Sequence, residues 1–496
     1  MYKIRQIKYA ENSVSIQVYK IENRKRVIVR HIGTSHNEKE QSDLIFLAND
    51  FIEKASKQLT LFESNTSNNT FYLNQTEFTG VHYTFLYELV SKLIIKIGLD
   101  KTKDNLLLDL VILRMMEPAS KLRSIDLLSE YFGIKHRRQN YYKSAPHWLS
   151  LKTKAESIAL EFAREHYAFD FDLLFYDVTT LYFETFEEDE LRKNGFSKDS
   201  KSQQPQILVA LMVTKDGFPI AYEVFAGNTF EGHTIIPVIK NFITKNNVKE
   251  FTVVADAAMI SAENTKTLNE NAINYIVGAR LGNLSNKLIT EIDKNIERQD
   301  GKSIRIQTDN GYLICSYSSL RYRKDKYEME KQIEKAKCII QYPSKTKKLK
   351  FTKSTSNKIE LNNQLINKTQ KLLGIKGYYT NLKESKLSNT AIIERYHELY
   401  KIEQAFRIAK SDLQTRPIFH YKEDPIKLHL LICFMSLVVS KHIELKTKFS
   451  IRKFIHECKK ITDARLKNKI TNEESHIRAP LSPTIIEILK KLDLLT

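Results

Sequence analysis

The sequence predicts an α/β protein whose central sheet is mixed. Between residues 170 and 280, apolar segments of strand length recur, and they are rich in Val, Ile, Phe and Tyr. After LLFYDVTTLYFE (173–184), the segments ILVALMVT (207–214) and PIAYEVF (219–225) are separated by KDG, which predicts an antiparallel hairpin. FTVVAD (251–256) and YIVGA (275–279) have a helical segment between them, which predicts a β–α–β unit.

The segments outside this region complete the predicted organisation. Residues 1–35 indicate three short basic strands, and 36–58 a helix. Residues 83–165 have apolar residues at helical spacing. Residues 281–388 combine strand-like pieces with a charged helix, KYEMEKQIEKAK. A strong helical pattern follows at 389–413, and another at 425–441.

The charge of the chain indicates a polyanionic partner. The 496 residues contain 78 Lys and Arg against 59 Asp and Glu, so the net charge is +19 and the pI is about 9.4. Nucleic acid is the first interpretation and an anionic membrane the second. A basic surface without a polyanionic partner is the alternative.

Cysteine content and hydropathy favour a cytoplasmic protein that does not enter a membrane. The four cysteines show no CxxC spacing, which argues against a zinc ribbon or a disulfide framework and suits a reducing compartment. The N-terminus lacks the apolar core of a signal peptide. The longest apolar run, LHLLICFMSLVV (428–439), is shorter than the ~20 residues of a membrane span and predicts a buried helix.

Two aspartates in apolar strands are the first candidate site residues. Asp177 lies in the middle of LLFYDVTTLYFE, and Asp256 ends FTVVAD beside Ala257 and Ala258. A buried carboxylate is costly unless it is hydrogen-bonded, paired or bound to a metal. Each aspartate alone is also explained as a structural residue with its hydrogen bonds satisfied. The pair, on neighbouring strands of a basic protein, favours a divalent cation with oxygen ligands.

A third carboxylate is expected from the 389–413 helix. Tyr396, Glu403 and Lys410 are spaced by seven residues and would drift by only ~20° per heptad around a continuous helix. Leu399 and Arg407, four residues on either side of Glu403, lie on the same predicted face. Glu403 could then bind metal while the cations hold phosphates. An exposed helix with a Glu403–Arg407 pair explains the same pattern.

These residues resemble the DDE triad of insertion-sequence transposases with an RNase H-like catalytic core. The three acids are Asp177 in YDVTTLYFE, Asp256 in VVADAAM and Glu403 in YKIEQAFRIAKSDL. The closest group has a Tyr-x2-Arg-x3-Glu-x6-Lys signature, which here runs from Tyr396 to Lys410 with Leu399 at the Arg position. Arg395 or Arg407 could supply the phosphate contact of the missing arginine.

The resemblance implies a fold and an activity. The fold would be an RNase H-like mixed sheet flanked by helices and interrupted by a mostly β insertion, with an N-terminal β and helical DNA-binding region. The activity would be cut-and-paste transposition, in which Asp177, Asp256 and Glu403 hold two Mg²⁺ ions, or Mn²⁺ in their place. Tyr396, Arg407 and Lys410 would contact DNA.

The implied partners are the terminal inverted repeats of the transposon and the target DNA, bound by a homodimer that assembles on DNA. The implied location is the prokaryotic cytoplasm, at the nucleoid. The predicted divisions are an N-terminal β/α module (1–80), a helical DNA-binding region (81–168), the first half of the core (169–280), the insertion subdomain (281–388), the third-acid helix of the core (389–445) and a basic helical tail (446–496).

Other functions remain open at this level. An RNase H-like nuclease or resolvase would hydrolyse DNA without joining it. A non-catalytic DNA-binding protein descended from a transposase would retain the fold without the chemistry. A glycosidase could also use paired carboxylates, but the charge of +19 gives that function little support.

Overall fold

The computed structural model describes residues 2–10, 13–22, 24–57, 76–197, 201, 203–248, 251–259, 261–341, 349–355, 358–469, 472 and 474–495. In these residues the strands are β1 (Tyr2–Ala10), β2 (Ser13–Glu22), β3 (Lys25–Ser35), β4 (Thr76–His82), β5 (Leu173–Tyr182), β6 (Gln206–Thr214), β7 (Pro219–Ala226), β8 (Thr252–Ala255), β9 (Asn274–Ala279), β10 (Ser303–Thr308), β11 (Gly311–Tyr317), β12 (Thr352–Thr355), β13 (Lys358–Leu361), β14 (Ile375–Thr380), β15 (Asp463–Asn468) and β16 (Glu474–Arg478).

The helices are α1 (Glu38–Lys57), α2 (Thr84–Ile97), α3 (Asn105–Met116), α4 (Lys121–Phe132), α5 (Arg138–Leu149), α6 (Lys152–His166), α7 (Ile235–Asn246), α8 (Ala262–Glu270), α9 (Asn286–Asn295), α10 (Ser319–Gln341), α11 (Asn363–Lys371), α12 (Asn389–His397), α13 (Tyr400–Arg407), α14 (Glu423–Thr447), α15 (Ile451–Lys459) and α16 (Pro483–Lys491). A π-helical segment, Ile408–Asp412, continues directly from α13.

The described residues form two units, the first within 1–85 and 459–482 and the second within 86–458 and 483–496. In the first unit, β1, β2 and β3 form an antiparallel sheet, and α1 packs against it. Ile16 and Val18 of β2 and Ala48 of α1 are the buried centre of this packing. The first unit therefore has its own small core.

The predicted helical tail at 446–496 is wrong in its middle part. α15 and α16 are helices, but β15 and β16 are strands between them. β15 pairs with β4 as well as with β16, so that Asp463 lies opposite His82. The backbone groups of β4 obtain their partners from this distant segment, a requirement that the local sequence of the tail does not reveal.

The second unit is built on an eight-stranded sheet in the order β10-β11-β14-β9-β8-β5-β6-β7. β5, β6 and β7 form an antiparallel meander, and β8 and β9 run parallel to β5. Three antiparallel strands joined by two parallel ones are the arrangement of an RNase H-like core, and the predicted fold class is confirmed. β5 to β9 lie within two residues of their predicted positions, and Gly217 in the predicted KDG turn has a φ of 79°.

The region between β9 and α12 differs from the mostly β subdomain that was predicted. Three of its strands, β14, β11 and β10, extend the core sheet in antiparallel pairs. The charged segment predicted as a helix belongs to α10, which is 23 residues long. α10 and α11 contribute to a small separate core of Met329, Ala336, Phe351, Ile366 and Leu373. The insertion therefore combines helices with an extension of the sheet.

α14 is the long apolar helix of the second unit. It has 25 residues, so it continues well beyond the predicted apolar run, and by length and composition it could cross a membrane. Its most apolar stretch of 18 residues is, however, 94% buried within the protein. The prediction of a buried helix is confirmed, and packing in the core explains its composition.

A buried cluster of basic side chains joins α3, α4 and α14. Arg114 and Lys121 each lie within hydrogen-bonding distance of His429 Nδ1, at 3.0 and 3.3 Å, and His429 Nε2 donates to the Thr415 carbonyl at 3.0 Å. Neither cation forms an ion pair with a carboxylate in the described part of the chain. Burial lowers the pKa of Lys121 well below its usual value, and Arg114 lowers it further.

Replacing Lys121 by methionine is expected to raise the free energy of unfolding by about 1–3 kcal/mol, because a buried cation that lacks a carboxylate partner becomes an apolar side chain of similar length. Urea denaturation measures the change. Lys154→Met, at an exposed position of α6, is the matched control and should change the midpoint little. A loss of stability in Lys121→Met would show that Lys121 is a favourable part of the cluster.

Candidate active site

Asp177 interrupts a strand that is otherwise buried. In β5, residues 173–181 are buried except for Asp177, which is half-buried. Its Oδ1 accepts a hydrogen bond of 2.8 Å from the backbone N–H of Val178. Thr179 and Leu181 point to the same side of the strand as Asp177, because side chains alternate along a strand. This side of β5 is the one that faces α13 and α14, because Thr179 and Leu181 line a cavity with residues of both helices.

The pairing of the parallel strands places Asp256 beside Asp177. Tyr176 pairs with Ala255, so Asp177 and Asp256 follow the same rung on adjacent strands. Parallel strands lie about 4.8 Å apart, and residues of one rung point to the same face. Ala255 pairs in turn with Val277, so the rung continues to Gly278 of β9. Asp256 directly follows the last residue of β8, so the register brings its backbone next to that of Asp177.

Tyr396 of α12 binds Asp256. Its hydroxyl donates to Asp256 Oδ1 at 3.2 Å, and the backbone N–H of Ala257 donates to the same oxygen at 2.7 Å. Burial raises the pKa of Tyr396, and the negative charge of Asp256 raises it further, so the phenol stays protonated as a donor. The side chain fits because position 278 is glycine: a Cβ there would lie 2.5 Å from Tyr396 Oη.

Glu403 lies on α13, which packs against β5 and β6. Ile402, Ala405 and Phe406 are buried toward the sheet, whereas Glu403 is exposed. The charges of Asp256 and Glu403 both raise the pKa of Tyr396, so Glu403 shares the surroundings of Tyr396 with Asp256. Asp256 and Glu403 are thus both near Tyr396, and Asp177 is related to Asp256 through the register of β5 and β8.

The prediction of one continuous helix over 389–413 is wrong. α12 ends at His397, α13 begins at Tyr400, and the π-helical segment follows. The heptad spacing of Tyr396, Glu403 and Lys410 therefore does not place them on one straight stripe. Tyr396 is buried, Glu403 is exposed, and Lys410 is half-buried beside a cavity of about 40 Å³ that Thr179 and Leu181 also line.

The cations of the predicted signature have separate surroundings. Leu399, at the usual arginine position, is buried. Arg407 is exposed and close enough to Lys441 to lower the pKa of that lysine. Arg395 is half-buried on α12. The predicted DNA contacts of Arg407, Lys410 and Tyr396 remain predictions.

Sequence reasoning missed Lys376 and Tyr378 of β14. Tyr378 pairs with Gly278, and its ring meets that of Tyr396 edge-on at 4.9 Å between centroids. Lys376 Nζ lies 4.7 Å from the centroid of the Tyr396 ring. IKGYYT (375–380) does carry the signal that singled out Asp177, a charged residue in an apolar strand. The sequence does not reveal that this strand lies beside β9.

The acids fit a divalent cation incompletely. Carboxylate oxygens are the ligands that Mg²⁺ prefers, and Asp177 and Asp256 are adjacent. Among the described residues, however, no three His, Cys, Asp or Glu side chains lie close enough together to form a metal site. The two aspartates are the pair suited to a first ion, and Glu403 would have to approach them to complete a three-acid site.

Residues 169–439, which include all three acids, match the family model of the transposase DDE domain. The chain belongs to this family. The match begins just before β5 and ends within α14, so it contains the whole RNase H-like core of this DDE transposase. The coarse functional prediction, a transposase, is confirmed by this membership.

Other comparisons add little to the family assignment. No curated protein is significantly similar to the chain. A solved structure of the piggyBac transposase synaptic complex with hairpin DNA, determined by cryo-EM, is similar to it with 12% identity and a TM-score of 0.36. The similarity covers 76% of this chain and 69% of the piggyBac chain. Because this TM-score is low, the fold of the DDE transposase is defined by the sheet topology above.

Proposed function

We propose that this DDE transposase binds the ends of its transposon, cleaves DNA there with divalent metal ions, and joins the freed ends to target DNA. The observation that carries the proposal is the register of β5 and β8, in which Asp256 directly follows the end of β8 and so comes next to Asp177 of β5. Members of the DDE family generally use divalent metal ions. Asp177, Asp256 and Glu403 are the residues that would hold them.

The chain contributes positioning and charge to this reaction. Bound divalent ions would polarise the scissile phosphate and activate the attacking water or 3′-OH. Tyr396 holds one oxygen of Asp256 by its hydrogen bond and so orients the carboxylate. No side chain needs to act as a nucleophile, and Thr179 and Thr180 are buried residues of β5.

DNA binding is supported by the charge of the chain and its distribution. The net charge is +19. The sheet of the first unit exposes seven basic side chains: Lys3, Arg5, Lys8, Arg24, Lys25, Arg26 and Arg30. Cations that replace the counterions of DNA give an affinity that falls steeply with salt. We propose that this unit contributes to binding transposon ends, that two protomers pair the ends, and that the protein works at the nucleoid of a prokaryotic cell.

A pre-cut DNA end tests the proposal against its alternatives. The substrate is a duplex from the sequence flanking the gene, with a free 3′-OH, incubated with a supercoiled plasmid and Mg²⁺, Mn²⁺ or EDTA. Joined products that require metal are expected. Nicking without joining would support the nuclease or resolvase alternative. DNA binding without metal-dependent nicking would support a non-catalytic protein.

A further inference from the structure

Lys376 is a half-buried lysine at the edge of the candidate active site. It lies on β14 two residues before Tyr378, so both side chains point to the face that carries Tyr396. Its Nζ lies 4.7 Å from the Tyr396 ring centroid and 5.6 Å from that of Tyr378. Contacts with the faces of two aromatic rings fix the position of the ammonium group.

The charge of Lys376 is coupled to the acids. Burial lowers its pKa, and so does Arg321, whereas Asp256 and Glu403 raise it. Within the described residues Lys376 forms no direct ion pair. It therefore acts on both carboxylates from a distance without being held by either of them.

Lys376 also lines a groove between β14 and the helices α10 and α11. The groove has a volume of about 470 Å³, and its wall includes the cations Arg321, Lys350, Lys368 and Lys376. Pockets of this volume accept ligands of roughly nucleotide size. Asp325 and Glu328 offset part of the charge, and Arg321 is paired with Asp325 at 3.3 Å. Lys376 is the cation of this wall that also acts on Asp256 and Glu403.

We propose that Lys376 is a phosphate-binding residue of the site: its ammonium group offsets the charge of Asp256 and Glu403 in the free protein and contacts a phosphodiester of the DNA strand once cations bind the carboxylates. The inference rests on the proposed function. It predicts two effects of opposite sign, because one positive charge repels an incoming metal ion and attracts a phosphate.

Replacing Lys376 by methionine should strengthen Mn²⁺ binding to the DNA-free protein by about three- to tenfold, since the repelling charge is removed. The same change should weaken binding of the pre-cut DNA end by about tenfold. It should also reduce the slope of log affinity against log salt concentration by about one, which corresponds to the loss of one phosphate contact. Mn²⁺ binding is measured by calorimetry. DNA binding is measured by fluorescence anisotropy in Ca²⁺ at several salt concentrations.

Two further variants complete the test. Lys376→Arg should restore most of the DNA affinity, because the charge is retained. Lys335→Met, on the exposed side of α10, removes the same charge and should change each affinity less than twofold. Opposite shifts for Lys376→Met support the proposal, and any other pair of results overturns it, including a joint loss that indicates a damaged fold. If the proposed function itself is wrong, the wild-type protein will lack metal-dependent cleavage. This result is distinct from any outcome of the Lys376 variants.

Discussion

Replacement of Asp256 by asparagine is expected to lower metal-dependent DNA cleavage on the order of 10³-fold or more, with equal losses for Asp177→Asn and Glu403→Gln. Each change keeps the size of the side chain but removes the negative charge that would hold a divalent ion. Asp256→Asn also leaves the Tyr396 hydroxyl with an uncharged partner. Single-turnover cleavage of the DNA end in Mg²⁺ measures the loss.

The controls for this prediction come from exposed acids of the same types. Asp309→Asn, between β10 and β11, and Glu394→Gln, on α12, alter the net charge in the same way and should retain cleavage within about threefold of wild type. Thermal unfolding verifies that the variants are folded. Unimpaired cleavage by any one of the three variants at 177, 256 or 403 would remove that residue from the site.

Introduction of a single methyl group at Gly278 is the second change with a large expected effect. The Cβ of Gly278→Ala would lie 2.5 Å from Tyr396 Oη and 3.1 and 3.2 Å from the Cβ and N of Ala257. Overpacking of this kind costs about 1–3 kcal/mol. The tyrosine must move, so the Asp256 bond is lost, and we expect cleavage to fall by about 10²-fold.

Two partner variants show whether the tyrosine is responsible. Gly282→Ala is the matched control, because a Cβ at that position meets no atom within 4 Å. In the double variant Gly278→Ala, Tyr396→Phe, the closest clash is absent, and more than half of the lost stability should return, while cleavage stays low. Full stability and activity in Gly278→Ala alone would contradict the position assigned to Tyr396. Urea denaturation and single-turnover cleavage supply both readouts.

The sequence identified the part of the site that local patterns determine. Asp177 and Asp256 stand out because each is a charged residue in or at the end of an apolar segment, and the hairpin and β–α–β patterns predict strands β5 to β9. The proximity of Asp177 to Asp256 depends on register, which requires partners from other segments. The place of Lys376 beside the site depends on register in the same way, since β14 pairs with β9 across most of the insertion.

Two errors have similar physical causes. The break at 398–399 and the π-helical turn depend on packing of α12 and α13 against different strands, which a heptad count on one segment ignores. The tail is predicted to be helical throughout, but the strand character of β15 depends on pairing with β4. Local propensity is a weak guide where distant segments decide the structure.

The pairing of β4 with β15 has a consequence for biosynthesis. β4 ends at His82, but its hydrogen-bonding partner β15 begins at Asp463, so the 380 residues from 83 to 462 must be translated in between. At about 5–20 residues per second, the edge of β4 waits on the order of a minute for β15. During that interval the unpaired strand is open to wrong partners. Nascent chains that stop before Asp463 cannot complete this three-stranded sheet, so the first unit is completed only after residues 86–458 of the second unit have been translated.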